Sequence, residues 1–413
     1  MSNRNNLNAK KQIVIVAGVF YPEPVVSASL LFDLANELAV NYNVTVLRPF
    51  PTRPHGFKVK DIRHENYPFK IVYLKSFTCS KSSLLGRLYE SYSMGKHSVR
   101  FLKKNYNQVD FIYNAPWQLF GRYLVAKFSK KNKIPYITPV QDIYPESITS
   151  KLPKWPFLHS LVTKILIPID KYTLQNATKI HTISDKMKSY LVKTRNLPED
   201  RFIVIQNWQN EEEFIDFSKL NNIKPHTSDK FTFMYMGNVG PLAGLEMVID
   251  AFKKIDSKKC RLVIAGSGSA RQRLQKKVVN EQINNIEFWD VPNGKVPEIQ
   301  SDADVMLLPV KKGFSKTSIP SKLPAYMFSA KPVLASVDND SDIAFAIKSA
   351  KCGWISESEN VNMLATRIKN ILNLNTEQLT EMGQKGFNYS MTYFSRKNNM
   401  PKLVEACHNI INN

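Results

Sequence analysis

Short apolar segments alternate with segments of helical periodicity along this chain of 413 residues. The first apolar segment, Ile13–Gly18, has the composition of a buried strand. It is followed by four leucines whose spacing places them on one face of a helix, namely Leu30, Leu31, Leu34 and Leu38. A repeated strand-then-helix pattern is typical of parallel βαβ units, so we predict an α/β fold.

The pattern divides the chain into two halves. Further strands of the first half are predicted at VTVLRPF, FKIVYLK, DFIYN, PYITPV, TKIHTIS and RFIVIQN. The segment 208–230 is polar and lacks a clear period, so we predict a domain boundary there. Strands then resume at FTFMYMG, CRLVIAG, NNIEFWD, DVMLLPV, KPVLAS and CGWIS. We therefore predict two Rossmann-like domains, which bind ligands at the carboxyl ends of their strands, in a cleft between the domains.

The composition favours a folded protein of a reducing compartment. The four cysteines are widely spaced and form no Cys-x-x-Cys pair, which argues against a zinc site and against a disulfide framework. No apolar run approaches the ~20 residues that span a bilayer. The apolar run after Lys10 and Lys11 lacks a small-residue cleavage site, so we interpret it as a first strand and not as a secretion signal.

Two turns of the second half have the composition of an anion site. Each one follows a predicted strand, contains glycines that permit close approach of a ligand to the backbone, and precedes a predicted helix. Their candidate ligands to a pyrophosphate are Gly237, Asn238, Gly240, Gly244, Gly266, Gly268 and Arg271. The alternative is that both are ordinary strand-to-helix turns, with Arg271 in solvent.

A third segment, Ser318–Ser336, adds a cation. Ser318 and Ser321 flank Pro320, which predicts a helix start with a capping hydroxyl. Lys322 then lies at the start of that helix, where the dipole disfavours a cation unless an anion is bound. We therefore predict contacts of Ser318, Ser321 and Lys322 with a phosphate, the alternative being a lysine that points into water.

Motifs in a fixed order carry a resemblance to a known family. They are FYPEP, RPFPTRPHG, VQDIYPES, IHTISDKMKSYL, IVIQNWQNEEEF, GNVGPLAGLEMVIDAF, LVIAGSGSARQRL, VPEIQSDADVMLLPV and IPSKLPAYMFSAKPVLAS. With these motifs nearly the whole chain resembles the family 4 glycosyltransferases of the GT-B fold. The RPFPTRPHG, DIYPES and IPSK segments resemble the bacterial L-fucosamine transferases of surface polysaccharide synthesis.

The resemblance implies a retaining sugar transfer without a bound metal or other cofactor. An acceptor-binding domain is expected at 1–208, a domain for the UDP- or GDP-sugar at 209–394, and a C-terminal helix at 395–413 that packs back on the first domain. UDP is favoured over GDP, and an N-acetylated deoxyhexose is a candidate sugar. Lys322, Arg271 and the helix starts would supply the positive charge that the leaving diphosphate needs.

The chain departs from the family at two places. Relatives usually carry two glutamates in the donor site, whereas Thr317 and Ala325 occupy those positions here. The glycine-rich loop after the first strand reads PVVSAS, so that Val25 and Val26 replace glycines. β-Branched residues disfavour positive φ and narrow the access to the backbone. The departures leave altered donor use or a non-catalytic GT-B scaffold as alternatives.

Asp142 is the candidate catalytic residue of the first half. It follows the strand PYITPV and lies where relatives carry a residue that faces the donor sugar, so it is expected to orient the acceptor hydroxyl or accept its proton. Glu146, four residues later, is the second candidate. Arg53 and His55 are weaker candidates in the loop after the second strand. The alternative for Asp142 is a turn cap before Pro145.

Basic charge indicates an anionic partner. Lys and Arg total 57 against 35 Asp and Glu, a formal net charge of +22. The segments 80–106 and 151–172 mix lysines and arginines with leucines and aromatics, a composition typical of helices on an anionic membrane. We expect a peripheral protein at the cytoplasmic face of the plasma membrane with a polyprenyl-diphosphate-linked acceptor. The alternative to membrane binding is that these apolar residues face the core. Nucleic acid is not expected as the anionic partner, since no nucleic-acid motif is present. The enzymatic alternative to a glycosyltransferase is a GT-B nucleotide-sugar epimerase.

Overall fold

The computed structural model describes residues 10–53, 66–79, 83–149, 156–221, 230–256, 258–313 and 319–412. The chain forms two compact units. The first consists of Met1–Asn207 with Asn399–Asn413, and the second of Trp208–Asn398. The chain therefore leaves the first unit once and returns to it at the end.

The first unit is built on a parallel sheet with the strand order β3-β2-β1-β4-β5-β6-β7. Its strands are β1 Gln12–Ala17, β2 Asn43–Pro49, β3 Lys70–Leu74, β4 Phe111–Ala115, β5 Tyr136–Val140, β6 Lys179–Thr182 and β7 Phe202–Val204. The intervening helices are α1 Val26–Asn41, α2 Leu84–Asn105, α3 Phe120–Asn132, α4 Glu146–Thr149, α5 Pro156–Gln175 and α6 Asp185–Arg195. The strand order reverses between β1 and β4, which is where sheets of this type bind ligands.

The second unit repeats this architecture with the strand order β10-β9-β8-β11-β12-β13, also parallel. After α7 Glu212–Asn221 come the strands β8 Phe231–Met236, β9 Cys260–Ala265, β10 Ile286–Trp289, β11 Val305–Pro309, β12 Val333–Ser336 and β13 Gly353–Ser356. The helices that follow are α8 Leu245–Phe252, α9 Arg271–Asn280, α10 Val296–Ser301, α11 Lys322–Phe328, α12 Asp342–Ala350, α13 Val361–Ile371, α14 Thr376–Tyr393 and α15 Arg396–Asn412. Its order reverses between β8 and β11.

The predicted strands are all present, which confirms the Rossmann-like character of both halves. Strands covered on both faces read as continuous apolar runs, as in β1, where Ile13 and Ile15 are fully buried. The helix predicted after β1 is α1, and its four predicted leucines are buried. The four cysteines are buried, and none of them forms a disulfide.

The helix α7 was not predicted. The polar segment after Trp208 contains α7, whose Phe214 packs into the core of the second unit. Just before this helix, the buried Glu211 accepts hydrogen bonds from the backbone N–H groups of Arg396 and Lys397, at 2.8 and 3.1 Å. A carboxylate that binds the first N–H groups of a helix stabilises its start, so Glu211 anchors the beginning of α15.

Within the first unit, the end of α15 closes on the first strand. Lys11 donates a hydrogen bond to the carbonyl of Ile411 at 2.6 Å. Tyr42 and His408 share a hydrogen bond of 2.5 Å between Oη and Nδ1. The last residues of the chain are therefore a structural part of the first unit.

Candidate active site

The turn after β8 is held tightly against the turn after β9. Gly237 donates to the carbonyl of Ala265 at 2.9 Å, and Val239 donates to the carbonyl of Ser267 at 2.8 Å. A Cβ atom on Gly266 would lie 2.2 Å from the carbonyl oxygen of Gly237, and one on Gly268 would lie 2.3 Å from that of Val239. These two positions therefore require glycine because the two backbones touch.

The remaining residues of the first turn lead into α8. Tyr235 donates from its hydroxyl to the carbonyl of Asn238 at 2.7 Å, which fixes the turn. Gly240, at φ −105°, begins a single 3₁₀ turn over Pro241–Ala243. Gly244 is at φ +66° and is the N-cap of α8. Only Gly244 of these two uses the backbone freedom of glycine, and the helix predicted after this turn is present, beginning at Leu245.

Lys322 reaches back from α11 to the end of β8. A Cβ atom on Gly237 would lie 2.3 Å from Cε of Lys322, so the lysine stem packs directly on the glycine. The ammonium lies 5.3 Å from the ring centre of Tyr235. Burial lowers the pKa of Lys322, and no described carboxylate forms an ion pair with it. The second unit therefore holds a half-buried cation whose described environment supplies no anion.

The predicted cap of α11 is wrong in its detail. Ser321 occupies the N-cap position, but its hydroxyl makes no capping hydrogen bond. Its backbone is already helical, with φ −56° and ψ −16°, whereas a capping side chain needs an extended backbone to reach the N–H groups of the first turn. Because α11 has only seven residues, the environment of Lys322 rests on burial more than on a helix dipole. Ser318 lies outside the described residues.

Arg271 forms hydrogen bonds with the second glycine turn and with a nearby carboxylate. Its guanidinium donates to the carbonyl of Gly266 at 2.7 Å and to the carboxylate of Asp290 at 2.5 Å. The Asp290 side chain is 87% exposed, so this ion pair is weak and an incoming anion can compete with it. Arg271 thus braces the second glycine turn and remains available beside it.

Asp142 is exposed in the loop after β5, as its predicted role requires. The residue before it, Gln141, accepts a hydrogen bond from Ser27 of α1 at 2.7 Å. Below the loop, burial lowers the pKa of Arg122 to about 10, and the charges of Asp170 and Asp142 oppose that shift. Asp142 therefore stands on a fixed loop above a buried positive charge.

Glu146, the second candidate, begins α4 and is bound by other side chains. Arg195 donates to its carboxylate at 2.8 Å, and Tyr190 donates at 3.0 Å. Burial acts to raise the pKa of Glu146, but the hydrogen bond and charge of Arg195 outweigh it and hold that pKa below its usual value. Arg195 also binds Asp170 at 2.8 Å and the carbonyl of Tyr144 at 2.8 Å. The loop that carries Asp142 is thereby tied to α5 and α6.

Sequence reasoning missed a buried acid beside the first strand. Glu23 forms an ion pair of 3.0 Å with the fully buried Arg48 of β2. Its carboxylate also accepts the backbone N–H groups of Thr52 and Arg53, each at 2.8 Å. The glutamate of FYPEP was visible in the sequence, but its partner lies 25 residues further along the chain.

Arg53 is an internal residue. Its guanidinium binds the carboxylate of Glu90 at 2.6 and 2.8 Å, and Trp117 covers it at 5.3 Å. His55 lies outside the described residues.

Val25 is the N-cap of α1 with an extended backbone at φ −131°, so the loop after β1 needs no glycine at this position. Ala325 is buried in the core of the second unit, so this position carries no carboxylate.

Solved structures of the same fold include glycosyltransferases. Sucrose-phosphate synthase from Thermosynechococcus elongatus matches with a TM-score of 0.72 at 14% identity, covering 98% of this chain and 100% of that one. Anabaena HepE in complex with UDP and glucose matches with a TM-score of 0.66 at 13% identity, covering 97% and 99%. These likenesses show the fold, and the protein has the GT-B class of architecture.

Two family models and several curated relatives match parts of the chain. A Glycosyltransferase Family 4 model matches residues 27–213, and a Glycosyl transferases group 1 model matches residues 216–389. The probable glycosyltransferase WbjE of Pseudomonas aeruginosa is 24% identical over 59% of this chain and 61% of its own length. The putative colanic acid biosynthesis glycosyl transferase WcaI of Escherichia coli K12 is 25% identical over 39% and 41%. Each half of the chain thus matches a glycosyltransferase model, and the chain spans about half the length of these relatives in the matched regions.

Proposed function

We propose that this protein is a retaining transferase that moves a sugar from a UDP- or GDP-sugar to a polyprenyl-diphosphate-linked acceptor in surface polysaccharide synthesis. The name of WcaI, with its colanic acid pathway, and the UDP bound to HepE support this proposal. The quoted motifs favour an L-fucosamine type of transfer, with an N-acetylated deoxyhexose as the candidate sugar. UDP is favoured over GDP as the carrier.

The observation that carries the proposal is the environment of Lys322. A lysine that loses hydration on burial and gains no described carboxylate is unfavourable unless an anion joins it. It lies at the carboxyl end of β8, beside the point where the strand order reverses. A diphosphate there would place its charge on Lys322 and on the N–H groups of the glycine turns, with Arg271 alongside, so that protein groups stabilise the leaving group.

Asp142 is the proposed residue of the first unit that faces the acceptor. An exposed carboxylate on a braced loop is able to orient the acceptor hydroxyl or take its proton. Glu146 is a poorer proton acceptor because Arg195 keeps its carboxylate ionised and occupied. We therefore propose that Glu146 positions the Asp142 loop.

Membrane association is proposed from the surface of α2. Leu85 is 79% exposed, Tyr89 57% and Tyr92 43%, so these residues do not face the core. Exposed lysines and arginines continue along the same helix, at Lys96, Arg100, Lys103 and Lys104. Apolar side chains beside basic ones suit the interface of an anionic bilayer. Among the described residues, no helix has the length and apolar character needed to cross a membrane.

Calorimetry with UDP and GDP tests the donor site. We expect UDP to bind the full chain and Lys322→Ala to weaken it about 10- to 100-fold, since a hydrogen bond to a charged group contributes ~1.5–3 kcal/mol. Affinity should fall as pH rises through the lowered pKa of Lys322, because the neutral amine no longer attracts phosphate. That fall should be absent in Lys322→Ala. Equal affinity of the two proteins would refute the site.

A glycine pair provides a second, matched test of the same site. Gly237→Ala would place a methyl group 2.3 Å from Cε of Lys322 at φ +144°, so the lysine must move and UDP binding should fall. Gly294→Ala is the control, since it carries a positive φ of +75° with no atom within 4 Å of the new methyl group. Both should lose some stability, but only the first should lose UDP affinity.

A further inference from the structure

The first unit contains a cavity of about 690 Å³ at the carboxyl ends of its strands. Its walls include Val19, from the loop after β1, and Trp117, from the loop after β4. These loops flank the point where the strand order reverses. A further wall is formed by Tyr144, Ser147 and Ile148 of the segment that carries Asp142. The cavity is therefore placed to hold a ligand next to the candidate acceptor residue.

Among the described residues, the charged groups that line the cavity carry an excess of one positive charge. Arg53, Arg87 and Glu90 all line it. Both arginines bind the same buried carboxylate of Glu90, Arg53 at 2.6 Å and Arg87 at 2.9 Å. One carboxylate cannot neutralise two guanidinium groups. The Arg87 side chain is 38% exposed, so its remaining N–H groups can reach a ligand in the cavity.

Arg53 contributes a second indication of an anion. Its side chain is only 10% exposed, yet its Nε has no hydrogen-bond partner among the described residues. A buried donor without an acceptor is costly, and arginine donors match phosphate oxygens well in geometry. An anionic oxygen in the cavity would satisfy this donor.

One part of the cavity wall is apolar and leads towards the exposed start of α2. Leu84, Leu88 and Leu119 line it together with Ile148. Leu84 is 36% exposed, and the adjacent Leu85 is the most exposed large apolar residue of this helix, at 79%. A ligand that fits these walls has an anionic head and a hydrocarbon chain.

We propose that this cavity binds the diphosphate and the first isoprenoid units of the lipid-linked acceptor. Arg87 and Arg53 contact the diphosphate, and Leu84 and Leu88 contact the hydrocarbon chain as it leaves along α2. The acceptor sugar then extends along the wall that carries Asp142. This inference rests on the proposed function and adds to it the residues that recognise the acceptor.

Farnesyl diphosphate is the probe for this site, titrated into the full chain by calorimetry in the presence of saturating UDP. UDP occupies the donor site, so that the probe reports on the cavity alone. We expect Arg87→Gln to weaken the probe at least about tenfold, the effect of losing one hydrogen bond to a charged group. Arg367→Gln changes an exposed arginine of α13 in the second unit that does not line the cavity; it is the control and should bind like wild type.

A second variant separates the two parts of the ligand. Leu88→Gln should weaken farnesyl diphosphate and leave inorganic pyrophosphate unchanged, whereas Arg87→Gln should weaken both. Equal binding of farnesyl diphosphate by wild type and Arg87→Gln overturns the inference, as does equally tight binding of farnesol. UDP affinity, measured in the same preparations, reports separately on the proposed function, since Arg87 belongs to the first unit and Lys322 to the second.

Discussion

Asp142 and Glu146 are four residues apart, yet their surroundings give them different chemical capacities. Asp142 is exposed, whereas the carboxylate of Glu146 is held by Arg195 and Tyr190. A carboxylate that is already paired with a guanidinium has little tendency to take up a proton at neutral pH. The exposed Asp142 is therefore the better candidate for the acceptor-facing group, even though both residues belong to the same sequence motif.

Replacing Asp142 by asparagine tests this assignment. We expect kcat to fall about 10²- to 10⁴-fold, the range for loss of a general base, while the melting temperature stays within a few degrees because the side chain is exposed. Asp200→Asn removes another exposed carboxylate of the same unit and should leave turnover unchanged. Sugar transfer assayed over a panel of donors supplies the measurement. An unaltered kcat in Asp142→Asn would remove the residue from the site.

The sequence predicts positions of single residues well and their partners poorly. Gly237 and Lys322 were identified because each stands next to a strand end or a helix start, which are local patterns. The contact between them joins positions that the fold brings together, and the pairing of Glu146 with Arg195 does the same. The capping role of Ser321 failed because it depended on a backbone angle that the residue types do not determine.

At the scale of elements, the loop after β1 is organised by an ion pair and not by glycines. Glu23 binds Arg48 and the N–H groups of Thr52 and Arg53, so the loops after β1 and β2 are joined. This explains how valines fit where relatives have glycines: Val25 is extended and Glu23 supplies the contacts that fix the loop. Buried pairs of this kind are costly to break because the remaining charge stays in the interior.

Glu23→Gln should therefore destabilise the protein by about 3–5 kcal/mol, since it leaves the fully buried Arg48 without a counter-charge. Glu199→Gln removes the partner of Lys188 from a carboxylate that is 72% exposed, and should change stability by less than about 1 kcal/mol. Urea unfolding of both variants gives the comparison. Similar losses in the two variants would contradict the role assigned to Glu23.

The sequence predicted an element more reliably when burial gave that element an apolar composition. Strands covered on both faces appear as apolar runs, and each one was found. The helix α7 was missed because its ten residues begin with glutamates and are anchored mainly by Phe214. The basic segment 80–106 left core-facing and solvent-facing readings open, and the exposure of Leu85, Tyr89 and Tyr92 decides between them.

For the whole molecule, a net charge of +22 sets the expected response to salt. If basic residues of α2 hold the protein on anionic vesicles, binding should fall as salt rises, because exposed charges are screened beyond about 8–10 Å. The double variant Lys96→Gln/Lys103→Gln should reduce binding roughly tenfold or more, at ~1 kcal/mol per lysine. Lys258→Gln/Lys259→Gln, in the second unit, is the control. Salt-independent co-sedimentation would instead indicate apolar insertion.

The return of the chain end to the first unit affects the order of folding during synthesis. Lys11 and Tyr42 have their partners at Ile411 and His408, so these contacts form only after translation has passed these positions. The second unit is continuous from Trp208 to Asn398 and lacks that constraint. Domains fold as units as they leave the ribosome. The second unit is thus free to fold before the first unit, whose strands are made earlier but whose closing helix is made later.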